Sequence, residues 1–112
     1  MIHNMNLNNE PFELIKSGSK TIELRLNDEK RRLLNEGDEI LFTNRDTSEK
    51  LLTDIIKLHK YDSFESLYKD FDKISLGYKE DEISNLDDMN EYYSKEDEKK
   101  YGVIGIELKL KR

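Results

Sequence analysis

Apolar positions along this chain alternate between a spacing of two and a spacing near 3.6, and each switch marks the edge of a short element. Met1 to Leu7 predicts a first strand. Asn8 and Asn9 are good helix caps, Pro11 suits a first turn, and Phe12, Leu14 and Ile15 precede Gly18; this predicts a short helix closed by a left-handed glycine. In Thr21-Ile22-Glu23-Leu24-Arg25-Leu26 the period drops to two: Ile22, Leu24 and Leu26 share one face, and Thr21, Glu23 and Arg25 share the other. Asn27 to Glu36 is a polar link anchored by Leu33 and Leu34. Gly37-Asp38 then turns the chain into a strand at Ile40 to Thr43. The turn-rich Asn44 to Glu49 leads to Leu51 to His59, whose apolar residues on both faces predict a strand covered on both sides. Asp62 or Ser63 caps a helix carrying Phe64, Leu67, Tyr68 and Phe71.

Lys79 to Tyr101 reads as an acidic loop or helix, with Ser94 placed three residues before Asp97 as a second cap. Val103 to Leu110 closes the chain as a strand, with Ile104, Ile106, Leu108 and Leu110 on one face. One early helix followed by closely linked strands predicts an α+β fold: a small mixed, mostly antiparallel β-barrel with flanking helices, in a single domain spanning 1–112.

Composition narrows the possibilities. Of 112 residues, 35% are hydrophobic and 39% charged, with no alanine, tryptophan or cysteine, so Leu, Ile, Tyr and Phe must build the core. Without cysteine, disulfides and thiolate metal sites are excluded. No apolar run approaches the ~20 residues of a membrane span. The N-terminal residues lack the charged and apolar blocks of a signal peptide, so a cytoplasmic location is expected. The formal charge of -6 argues against strong attraction to nucleic acid. It is unevenly distributed, however: residues 1–61 carry 10 basic and 11 acidic side chains, and 62–101 carry 6 and 13. A near-neutral surface outside the acidic stretch is therefore possible.

The segment Gly18-Ser19-Lys20-Thr21-Ile22-Glu23-Leu24-Arg25 concentrates the chemistry. A lysine follows a helix end, and the next strand puts a hydroxyl, a carboxylate and a guanidinium on one face at ~6–7 Å intervals. The pattern alone also suits an ordinary exposed strand face. Tyr92, Tyr93 and Tyr101 can stack on a base, and Arg31, Arg32, Arg45 and Lys50 are candidates for phosphate contacts. His3 and His59 are too few and too far apart to suggest a metal site, and no cofactor is indicated.

Gly18, Lys20, Glu23 and Arg25 match the G-x-K-x-x-E-x-R pattern of ASCH domains, relatives of the PUA fold. Pro11 to Lys16, Leu26 to Arg32, Gly37-Asp38 and Tyr101 to Ile106 are similar to the family as well, so the resemblance covers nearly the whole chain. It implies a barrel of five or six strands and a cleft at which the motif residues gather, with a role in RNA metabolism. Certain members remove the acetyl group from N4-acetylcytidine with a lysine, a threonine and a glutamate, and others are ribonucleases. Lys20 matches that lysine, but Glu23 stands where the threonine would be.

Three expectations follow. The first is binding of a short RNA or a nucleotide-like small molecule by Lys20, Thr21, Glu23, Arg25, Arg45 and Tyr93. The second is metal-independent hydrolysis of a modified nucleoside or RNA, with Glu23 as general base toward water and Lys20 and Arg25 stabilising the oxyanion. The third is a protein-interaction module built on acidic residues 62–101. An ion pair between Glu23 and Arg25 that only stiffens the cleft is also compatible with the motif.

Overall fold

A computed structural model describes residues 1–111. Strand β1 (Ile2–Leu7) is followed by α1 (Asn9–Ser17), β2 (Ile22–Leu26), a short helical turn at Arg31–Leu33, β3 (Glu39–Asn44) and β4 (Lys50–Tyr61). Next come α2 (Phe64–Asp70), a second turn at Leu86–Glu91, α3 (Lys95–Tyr101) and β5 (Val103–Leu110). The five strands form one curled half-barrel sheet in the order β1-β3-β4-β5-β2. The β1–β3 pair is parallel and the other pairs are antiparallel. Strands β1 and β2 are thus the two free edges, and the curl leaves a seam between them.

Most caps behave as the sequence predicts. Gly18 is left-handed, with its N–H donating to the Ile15 carbonyl. Ser63 accepts from Ser66, and Ser94 from Asp97. Asn8 occupies the α1 cap position, but its side chain makes no capping bond. The Asn9 amide is met instead by Asp46 from the β3–β4 turn at 3.1 Å.

Two apolar clusters flank the sheet. Phe12 and Ile15 of α1 pack with Met5, Ile40, Phe42, Ile55, Ile104 and Ile106 inside the curl. Outside it, Phe64 and Leu67 of α2 pack with Ile22, Leu24, Leu26 and Val103. Strand β5 is buried by apolar side chains on both faces, sending Ile104, Ile106 and Leu108 inward and Val103 outward. This corrects the expectation for β4. There the register against β5 shifts between Ile55 and Lys57, so Leu51, Ile55 and Leu58 all reach the inner cluster while Ile56 is exposed. A bulge of this kind inverts the alternation, which produces apolar residues at both parities without covering both faces. Leu33 does not anchor its link: it is exposed, whereas Leu34 is buried.

Where β1 meets β3, Asp38 accepts from His3 at 2.8 Å, lies 3.5 Å from the terminal ammonium and accepts from the Asn35 amide. The His3 bond is the main cause holding the Asp38 carboxyl below the usual aspartate range. A depressed acid contributes stability above its unfolded pKa and loses it as pH falls through the folded value. His3→Ala is thus expected to move the Asp38 carboxyl resonance titration upward by NMR and to bring acid unfolding to higher pH.

Candidate functional site

Strand β2 has two buried faces of opposite character. Its register sets Leu24 against Gly105 on the α2 side, and sets Glu23 against Ile106 and Arg25 against Ile104 on the inner side of the curl. The polar face that resembles ordinary surface in the sequence therefore points inward, toward the seam between β1 and β2. Glu23 is 4% exposed and Lys20 9%.

An isolated carboxylate would be costly in such a place, and both of its oxygens are engaged. Lys20 Nζ lies 3.0 Å from Glu23 Oε1, and Arg25 Nε donates to Glu23 Oε2 at 2.8 Å. Arg25 Nη2 then crosses the seam to donate to the Asn6 carbonyl of β1 at 3.0 Å. One guanidinium thus bridges two sheet edges that share no backbone ladder. Burial alone would push the Glu23 carboxyl up, but the Lys20 and Arg25 charges outweigh it and hold the group below the usual glutamate range. Burial likewise disfavours the Arg25 cation, and the Glu23 carboxylate more than offsets this. The aliphatic stem of Lys20 rests on Gly77, where a Cβ would come within 3.0 Å of Lys20 Cδ.

Above these groups opens a cleft of about 350 Å³. Its floor is Lys20, Glu23 and Arg25, and the start of α1 forms one wall. The opposite wall comes from the acidic segment and carries Tyr78, Met89, Tyr92 and Tyr93. Tyr93 stacks on Phe64 with centroids 5.6 Å apart, and burial pushes its phenol up. The wall is pinned by hydroxyl contacts: Tyr68 and Tyr78 lie 3.0 Å apart, and Tyr78 donates to Asp88 at 2.9 Å.

The sequence-predicted residues are only partly assembled. Lys20, Glu23, Arg25, Arg45 and Tyr93 all line the cleft, but Thr21 does not. Strand β2 begins after Thr21, whose backbone N–H is tied to the Ser75 carbonyl at 3.0 Å. Arg45 reaches the rim, 3.4 Å from Asn8 Oδ1. Tyr101 and Lys50 lie elsewhere: Tyr101 borders a second hollow, and Lys50 donates to Thr43 Oγ1. Sequence reasoning missed the Asn6 carbonyl, Gly77 and the Tyr68–Tyr78–Asp88 chain. The aromatic residues scattered through the acidic segment at 78, 92 and 93 were the available signal for that wall. The charge division of the chain also does not survive folding, because Glu82, Asp88 and Glu91 line the same cleft as Lys20.

Chemically, the floor offers hydrogen-bond donors. After binding Glu23 and Asn6, Lys20 and Arg25 keep unused N–H groups. Glu23 is poorly suited to general-base work, since both its oxygens are engaged by cations that hold its carboxyl below the usual glutamate range. No helix among the described residues is long and apolar enough to cross a membrane.

The ASCH domain family model matches residues 5–112. The crystal structure of the hypothetical protein PH0355 is similar, at 32% identity and a TM-score of 0.84, over 99% of this chain and 100% of that one. The solution structure of protein PF0455 from Pyrococcus furiosus is 34% identical with a TM-score of 0.71, over 98% and 97%. A mutant of ZmASCH from Zymomonas mobilis, 15% identical with a TM-score of 0.61 over 96% of this chain and 67% of that one, shares the fold. No curated protein matches in sequence.

Proposed function

This chain belongs to the ASCH domain family, and we propose that its seam cleft binds one nucleobase, carried by a nucleoside or by a short single strand of RNA. The observation that carries this reading is the buried Lys20–Glu23–Arg25 group on the cleft floor, faced by a tyrosine wall. A planar heterocycle presents ring-edge oxygens and nitrogens that accept from Lys20 and Arg25. Its faces stack on Tyr92 and Tyr93. The volume suits one small molecule.

The cleft's charge favours a base over a polyphosphate. Lys20, Arg25 and Arg45 are outnumbered in its lining by Glu10, Glu23, Glu82, Asp88 and Glu91. Binding without hydrolysis agrees better with the low basicity of Glu23 and with a Thr21 that lies off the cleft. The acidic segment serves as a wall of the cleft.

Tyr92 gives the sharpest test because it is 62% exposed and its loss should leave folding intact. Titration with cytidine, uridine and trinucleotides is expected to saturate. Tyr92→Ala should weaken that binding by about 1–3 kcal/mol, the usual worth of one base–aromatic stack, with an unchanged melting temperature. Absence of saturation with every probe would end the reading.

A further inference from the structure

The second hollow of the molecule lies at the far end of β2, lined by Asn27, Lys60, Tyr61, Asp62, Lys99, Lys100, Tyr101 and Gly102, with a volume of about 530 Å³. Its charge is opposite to that of the chain. Lys60 comes from β4, and Lys99 and Lys100 from the end of α3. Arg32, from the link after β2, closes the rim by donating to the Asn27 carbonyl at 2.9 Å and to the Tyr101 carbonyl at 3.5 Å.

Among the described residues, none of these four cations is in an ion pair, and Asp62 is the one carboxylate in the lining. Lys99 and Lys100 complement the carbonyl end of α3. That accounts for two of the cations, but not for Lys60 and Arg32 converging on the same place from other elements. All four are exposed, and Lys100 Nζ lies 5.0 Å from the centroid of the Tyr101 ring; gathered around one hollow, they make a local positive potential that attracts an anion in a chain of net charge -6. Asn27 adds an unsatisfied group: its Oδ1 is buried without a partner, and an amide can turn to present either its oxygen or its NH2.

We propose that this hollow is a phosphate-binding site, taking the phosphate of a phosphorylated small molecule or the phosphodiester of an RNA strand. Arg32, whose Nε and Nη2 already hold the Asn27 and Tyr101 carbonyls, meets the anion with its Nη1 N–H groups, and the three lysines supply charge. Asn27 lies two residues beyond Arg25, about 7 Å along the chain, so the site lies close to the base cleft without depending on it.

The test uses two probes, pyrophosphate and a five-nucleotide RNA, followed by amide NMR on the whole chain. Saturable shifts are expected at Asn27, Lys60 to Asp62 and Lys99 to Gly102. Saturation by pyrophosphate alone assigns a small phosphorylated ligand, and tighter saturation by RNA assigns the phosphodiester. The exposed double variant Lys60→Glu/Lys99→Glu should weaken either by about tenfold or more, whereas Lys57→Glu, on β4 and outside the hollow, should not. Cytidine binding should be untouched by the double variant, which separates this site from the cleft. Shifts that never saturate and spread over every exposed lysine, or a double variant that binds both probes like the parent, would overturn the proposal.

Discussion

Glu23→Ala is expected to cost about 3–5 kcal/mol, because it leaves two buried cations facing each other with no counter-charge. Against a total stability of about 5–15 kcal/mol this is a large fraction, and it should lower the melting temperature by roughly 10–20 °C. The loss belongs to Lys20 and Arg25 as much as to Glu23, since the carboxylate is their shared partner at 3.0 and 2.8 Å. Replacing the whole group therefore has a different outcome. Lys20→Met/Glu23→Leu/Arg25→Met removes every buried charge together, and such apolar replacements are commonly neutral or stabilising. The triple variant should recover most of the stability while losing the nucleobase affinity proposed for the cleft. If urea denaturation finds the triple variant as unstable as the single one, charge compensation is not what Glu23 provides.

The acid limb supplies an independent check. Glu23's folded pKa is depressed, so its contribution is present above the unfolded value and disappears as pH falls through the lower folded value. The wild-type protein should keep this contribution at pH values where an ordinary glutamate is half protonated. In Glu23→Ala that part of the acid transition should be missing.

The case of β2 also shows what a sequence pattern can and cannot reveal. Alternation of Ile22, Leu24 and Leu26 with Glu23 and Arg25 correctly placed a strand, and the Gly18, Ser63 and Ser94 caps were equally legible because capping is decided within a few residues. Alternation states that two faces differ, but it does not state that the polar one is wet. That depends on the pairing of Glu23 with Ile106 and of Arg25 with Ile104, contacts more than 75 residues apart in sequence. The same limit applied at β4, where an apolar run at both parities recorded a bulge beside Ile56. It applied again to the acidic segment, whose charge count carried no information that Tyr78, Met89 and Tyr92 would fold over Lys20. Local chemistry singled out the motif residues, and long-range pairing brought Lys20, Glu23 and Arg25 together on one cleft floor.

Gly102→Ala carries the second large expected effect, about 3 kcal/mol or more, from a backbone that only glycine adopts cheaply and from a contact with nowhere to relax. Gly102 has φ 72° and ψ -172°, and a Cβ there would lie 3.0 Å from the Tyr61 carbonyl oxygen. That oxygen is backbone in β4, and Tyr61 is paired with Val103 in the ladder, so it cannot swing aside as a side chain would. Gly102 also donates its N–H to Glu98 at 2.9 Å and accepts from the Asn27 amide at 3.0 Å, joining the end of α3 to the end of β2. Gly18 offers the matched control: it is left-handed at φ 88°, with nothing within 4 Å of its would-be Cβ, so Gly18→Ala should cost only about 1–2 kcal/mol of backbone strain. Equal losses for the two variants would mean that β4 yields to the added methyl. A larger loss at Gly102, with disturbed Asn27 and Lys100 amides, would show that this residue sets the spacing between β2 and α3 on which the cationic hollow depends.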